Sequence, residues 1–420
     1  MTDTFTSPPP LLRHAVFLTR GADAESSAPA VRLGQGSFLA LRLVDLLRAE
    51  PATADDVFHY QWSATERYCR ELAIDSPETS HLLAMVQSAR DAFADDRMAL
   101  VTPALFAYAH FLEEEGRYEE ALDVLATLEM VAGSALSDAE VIATTLRIAR
   151  VNRKMAKFEE AETAYEIAGR RAIQAGDAYS SLLSRIGRAS IVLDRGNVSD
   201  AERAYVAIAA DARAAGETDA EARAEHGIGT SRAVRGETGK AIPHVWHAYE
   251  LYEDAGNKCR ALTEVGILLK ATGDLVGAER ALHQAIQKCN ALDHSTSAIV
   301  ELVEVASLRG DQVGFERWRE EGRAREDRMR PATQADFYLK QGVGDARFGR
   351  ARRGRAHVER ALEIVRAAGI HEAVFRIEGV LNGLCDPEVV SIPTPFEEAE
   401  PVFDTALESV RASLRAMAEA

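Results

Sequence analysis

Gly116-Arg-Tyr-Glu-Glu-Ala121, Ala156-Lys-Phe-Glu-Glu-Ala161, Gly196-Asn-Val-Ser-Asp-Ala201, Gly236-Glu-Thr-Gly-Lys-Ala241 and Gly273-Asp-Leu-Val-Gly-Ala278 are five versions of one phrase. A small residue opens each, and an alanine closes it five positions later. The closing alanines fall 40, 40, 40 and 37 residues apart. A fixed period of that size marks a stacked-repeat architecture, in which each unit hides its apolar face against the next. The opening residue suits a turn between helices, where a side chain with a Cβ is costly. The alanine lets two helix backbones approach closely.

Working outward, unit one reads as a helix over about Thr102–Glu115 and a second over Tyr118–Val131. Ala132-Gly133, Ala175-Gly176, Ala215-Gly216 and Ala255-Gly256 fall where a helix C-cap is due. Asp138, Asp177 and Asp219 are placed to cap the helices that follow. Beyond Leu282 the register persists at Gly310 and Gly349, but Phe315 and Gly354 replace the alanine. The charged stretch Arg317–Arg330 reads as a solvated helix. Toward the N-terminus, residues 1–34 read as a disordered or irregular arm, with Ser7-Pro-Pro-Pro10 in it. Residues 35–100 read as helices that cap or extend the array, the first starting near Ser37 and a later one at Ser76-Pro77. The repeats occupy 101–385, and 386–402 is a proline-rich linker. Residues 403–420 return to amphipathic helix, with Phe403, Leu407, Val410, Leu414 and Met417 on one stripe. That stripe needs cover from the last repeat, the groove or another chain.

At this point the pattern resembles the tetratricopeptide family, whose unit carries Trp-x2-Leu-Gly-x2-Tyr and then Ala-x3-Phe. The matching residues are Leu262-x2-Val265-Gly266-x2-Leu269 with Ala278-x3-Leu282, Leu105-x2-Tyr108-Ala109-x2-Leu112 with Ala121-x3-Leu125, and Thr145-x2-Ile148-Ala149-x2-Asn152 with Ala161-x3-Tyr165. The period near 40 is longer than the family's usual 34, as in kinesin light chain and bacterial peptide-pheromone receptors, and Ala-Gly stands for the closing proline. The resemblance implies an all-α, right-handed solenoid of stacked antiparallel helix pairs, with an inner groove lined by the first helix of each pair. Its inward positions map to Phe106, His110, Glu113 and Glu114, then to Leu146, Arg150, Arg153 and Lys154, and to Ile186, Ser190 and Leu193. The next two units contribute Arg223, His226 and Thr230, and Arg260, Thr263, Ile267 and Lys270. The expected role is a protein-interaction scaffold or adaptor binding a peptide or partner segment. The alternative is a ligand- or peptide-sensing regulator, with the N-terminal or C-terminal helices as its output.

Composition narrows the partners. With 49 Lys and Arg against 66 Asp and Glu, the formal charge is −17. So acidic a surface repels nucleic-acid phosphate unless a local patch overrides it, and no helix-turn-helix or zinc spacing is present. Val141–Met155 nonetheless holds Arg147, Arg150, Arg153 and Lys154 with no acid, so the groove is expected to be locally basic and to suit an acidic segment or a C-terminal carboxylate. The competing reading pairs these cations with acids of neighbouring helices, a contribution of ~0–1 kcal/mol per surface pair.

Cys69, Cys259, Cys289 and Cys385 form no Cys-x-x-Cys pair and read as buried thiols of a reducing compartment. No secretory signal and no membrane-length apolar run is found, so a cytoplasmic protein is expected, with no membrane partner. Enzymatic motifs fail. Gly236-Glu-Thr-Gly-Lys240 has Val234 where a phosphate loop needs glycine and Ala241 where it needs Ser or Thr. His244-x-x-His247 places two imidazoles on one helical face, but with no third ligand in the segment it reads as packing or surface histidines. The expectation is therefore a non-enzyme without metal or cofactor, with self-association through the C-terminal stripe left open.

Overall fold

The structure is a computed structural model, and it describes residues 12–21, 28–49, 53–72, 76–132, 136–288, 292–384 and 405–419. Among these every regular element is helical and there is no strand. The chain divides into two compact units, Met1–Ile191 and Val192–Ala420. The first holds α1 (Ala28–Leu46), α2 (Asp55–Arg70), α3 (Pro77–Asp95), α4 (Thr102–Glu114), α5 (Tyr118–Ala132), α6 (Asp138–Lys154) and α7 (Phe158–Ala175). The boundary lies within α8 (Ala178–Asp194). The second unit holds α9 (Val198–Ala215), α10 (Thr218–Val234), α11 (Thr238–Leu251), α12 (Ala255–Ala271), α13 (Leu275–Lys288), α14 (Leu292–Leu308), α15 (Gln312–Arg323), α16 (Pro331–Arg347), α17 (Ala351–Ala367), α18 (His371–Gly383) and α19 (Thr405–Glu419). No described helix is long and apolar enough to cross a membrane.

The repeated phrase is the hairpin turn of each pair. Gly116, Ala156, Gly196, Gly236, Gly273, Gly310 and Gly349 all sit at positive φ, the left-handed region that ends a helix cheaply only when Cβ is missing. The alanine that follows is fully buried at positions 121, 161, 201, 241 and 278. Where the alanine is replaced, the opposite helix gives way. A Cβ on Gly344 would stand 2.3 Å from the ring of Phe315, and one on Gly354 would stand 2.5 Å from the carbonyl oxygen of Gly342. The missing packing residue is therefore matched by a glycine across the seam.

In the first unit the core is apolar and continuous from Phe17 through Leu41, Leu82, Leu105 and Leu125 to Val151. A 3-10 turn over Ala15–Gly21 docks on it, and α1 starts at Ala28, ahead of the Ser37 that the sequence suggests. Gly34 and Gly36 argue against a helix there on propensity. Packing requires at least the first, since a Cβ on Gly34 would lie 2.3 Å from the carbonyl oxygen of Phe17. The turn is pinned by Arg20, whose guanidinium donates to Glu78 and Glu120, and by His14, which bridges Asp45 and Asp123. Residues 1–10 lie outside the described residues.

Three local expectations change. Ala255-Gly256 opens α12 instead of closing α11, because the Asp254 side chain accepts the amide of Asn257 and starts a new helix. Arg317–Arg330 is not one solvated helix: α15 ends at Arg323, a 3-10 turn covers Glu326–Arg328, and Arg319 is buried. Of the proposed caps, Asp177 accepts the Ser180 amide, but Ser137 caps α6 in place of Asp138, and Asp219 pairs with Arg223. Ala175-Gly176 and Ala215-Gly216 do close α7 and α9; Gly133 lies outside the described residues.

Cys69 is a buried free thiol, its pKa pushed up to about 12 by burial. Cys259 is fully buried in the core of the second unit; Cys289 and Cys385 lie outside the described residues. So do the proline-rich segment 386–402 and Phe403. The rest of the C-terminal stripe is resolved as α19, with Val410 and Leu414 buried and Leu407 and Met417 packed beside them on the core of α11 to α13. Gln284 donates to the Met417 carbonyl, and Arg411 pairs with Asp274 at 2.8 Å. The helix thus covers second helices of the repeats and does not occupy the face of the first ones.

Candidate functional site

The first helices of successive pairs touch one another in the second unit, α12 against α14 and α14 against α16. Ionic contacts join them. His226 and Thr230 of α10 meet Glu264 of α12 at 2.6 and 3.3 Å. Lys270 of α12 reaches Glu301 and Glu304 of α14 at 2.6 and 2.5 Å, and Lys340 of α16 reaches the other oxygen of Glu301 at 2.5 Å. Burial alone would raise the Glu301 carboxyl, but Lys340 and Lys270 outweigh it and hold the pKa below the usual value. Glu264 is likewise lowered against burial, chiefly by its hydrogen bond from His226.

In the first unit the same role falls to α4 and α6. Glu113 is fully buried and gathers Arg147, Arg150 and Lys154, at 3.0, 2.6 and 3.0 Å. Arg150 also lies 3.6 Å from Glu114 and is 40% exposed. Arg153 hydrogen-bonds Tyr165. Burial, joined by the charge of Arg150, holds Lys154 below its ordinary value despite Glu113.

The sequence-proposed positions therefore separate by what they touch. Arg150, Lys154, His226, Thr230 and Lys270 stitch one first helix to another. Arg223 pairs within α10 with Asp219, and Arg260 hydrogen-bonds Tyr252. Thr263 is buried and returns its hydroxyl to the Cys259 carbonyl, and Ser190 does the same to Ile186. Phe106 packs on the core edge, while His110 and Ile267 face solvent. The acids Glu264, Glu301 and Glu304, and Lys340 with them, escaped notice. Their signal was available for the acids: Glu264 complements His226, and Glu301 and Glu304 complement Lys270, each roughly one repeat away.

No protein-family model matches the sequence, and no curated protein matches it. Among solved structures the chain is similar to the apo form of the quorum sensor NprR from B. thuringiensis, with a TM-score of 0.52 and 12% identity over 83% of this chain and 91% of that one. It is also similar to a Rap protein complexed with competence and sporulation factor, at 0.48 and 12% over 81% and 98% of the two chains. The APC/C hetero-tetramer Cut9–Hcn1 follows at 0.47 and 14% over 96% and 72%. Together with the helix hairpins described above, the likeness to NprR defines the class: the chain has the tetratricopeptide-type repeat fold, all-α and built of stacked helix pairs.

Proposed function

We propose that the chain is a non-enzymatic interaction scaffold of the cytoplasm that takes a peptide or partner segment on the face of its first helices, with α6 reading a carboxylate. One observation carries this reading. Among the described residues the carboxylates paired with Arg147, Arg150 and Lys154 are those of Glu113 and Glu114, so three cations answer two carboxylates. The excess charge lies at the exposed Arg150, where an acidic side chain or a chain terminus would complete the set. Rigid helices already hold the cations, so ordering costs fall on the ligand.

The test is fluorescence anisotropy of labelled peptides with acidic C-terminal segments, run beside amidated and neutral versions on the full chain. Arg150→Gln should weaken the acidic set about tenfold, equivalent to ~1.4 kcal/mol, and leave the neutral set unchanged. Glutamine is preferred to a charge reversal, which would set a second carboxylate against the buried Glu113. Equal affinities for all three sets, or an unaffected Arg150→Gln variant, would discard the reading.

A second reading, a ligand-responsive regulator, is favoured by α19. It is a separate helix held on α11 and α13 by few side chains, and it suits an output element. The neighbouring NprR is described as a quorum sensor. In this version the ligand on the first helices alters how well α19 seats, without competing for the same face.

A further inference from the structure

The hairpin of α10 and α11 assembles a second cluster that the peptide-binding reading does not use. Glu221 and Glu225 stand one turn apart on α10, and His244 and His247 one turn apart on the facing α11. Both carboxylates are only 10% exposed. His244 Nδ1 lies 2.7 Å from Glu225 Oε2, and His247 Nε2 lies 3.8 Å from Glu221 Oε1. One ligand atom from each of Glu221, Glu225 and His247 falls within 4.8 Å of the others. Arg213 reaches in from α9, 2.7 Å from Glu221 and 3.5 Å from Glu225, on a side chain that is 59% exposed.

The charges do not balance with neutral imidazoles. Two nearly buried carboxylates meet one guanidinium, and a third acid, Glu250, lies 3.6 Å from His247 Nδ1. Burying an uncompensated carboxylate is costly, so the cluster has an excess of negative charge for a bound cation to meet. The donors suit the cation. Imidazole nitrogen and carboxylate oxygen on two rigid helices form the mixed set that zinc-class ions take in tetrahedral geometry, at ~2.0–2.2 Å from the metal. His247 is 43% exposed and so has room to swing inward, and the exposed Arg213 is the group a metal would displace. His244 already fixes the Glu225 carboxylate through Nδ1, the kind of outer contact that orients a ligand. The His-x-x-His segment lacked further ligands, and α10 supplies two to join His247.

The geometry points to a divalent metal site of the zinc class, with Glu221, Glu225 and His247 as ligands, water in the fourth position and His244 holding Glu225 in place. The site clamps α10 to α11 on the side of α10 away from Glu264, so it stands independently of the proposed peptide face. The experiment is titration of the chelator-stripped full chain with Zn2+ against a chromophoric competitor, with Co2+ absorption as the geometric readout. One zinc per chain is expected, with the visible cobalt band of tetrahedral coordination. His247→Ala, at a half-exposed position that leaves the fold intact by circular dichroism, should weaken zinc at least about tenfold and remove the band. Arg213→Gln should tighten it, because the competing cation is gone. No zinc uptake by the wild-type chain would mean that the cluster takes no metal. Uptake undiminished in His247→Ala, or weakened in Arg213→Gln, would place the metal elsewhere. Each of these results overturns the assignment.

Discussion

His14 shows how much one side chain carries at the edge of the first unit. Its backbone is in the left-handed region, at φ 63°, an uncommon conformation for a residue with a Cβ. Burial opposes its charged form, yet hydrogen bonds to Asp123 and then Asp45, with their charges, outweigh burial and raise its pKa. A raised folded-state value means the contribution to stability is complete below the ordinary imidazole pKa and lost as pH climbs through the raised one. In urea unfolding, the gap between wild type and His14→Gln should thus be wider at pH 6 than at pH 9. A gap that does not change with pH would mean the ring is neutral when folded. Ala156 poses a simpler case. It is the one alanine among the five opening positions, at φ 56°. Ala156→Gly should stabilise the chain by about 1 kcal/mol, since the left-handed penalty disappears, and denaturant midpoints would register it.

At the scale of elements, α19 is the piece whose packing is most exposed to test. Leu414 is 1% exposed against the core of α11 to α13. Leu414→Ala should weaken docking by about 2–4 kcal/mol. Amide hydrogen exchange in α19 would then rise more than tenfold, while the helices of the repeats keep their protection. If exchange in α19 does not change, the stripe is not what holds it. The stripe itself was readable from Leu407, Val410, Leu414 and Met417 at helical spacing. Its seat was not, because the seat is built by second helices more than a hundred residues earlier. The same split runs through the site. The cations Arg150, Lys154 and Lys270 were visible as a pattern, whereas their partners sit on another repeat, and pairing is a property of stacking. The left-handed turns were legible in all five phrases. The helical status of Gly34 was hidden because propensity counts against glycine, and only the approach of Phe17 explains it.

For the whole molecule the decisive quantity is charge, −17 on a chain whose proposed ligand is also acidic. Long-range repulsion and short-range attraction then act in opposite senses and can be separated by salt. The Debye length shrinks from ~30 Å at 0.01 M to ~8 Å at 0.15 M. Over that range the field of the whole chain is screened first, while contacts at Arg150 act within a few ångströms and are screened less. Stopped-flow mixing with an acidic peptide should consequently show association that quickens as salt rises to physiological strength. Dissociation should quicken as well, because the exposed ion pair is weakened. Arg150→Gln should speed dissociation and leave the salt trend of association nearly intact, since it changes the net charge by only one. Association that slows with salt would show the opposite balance, with local cations steering the ligand from a distance. The α6 cluster would then be the dominant field of its surface and not a correction to it.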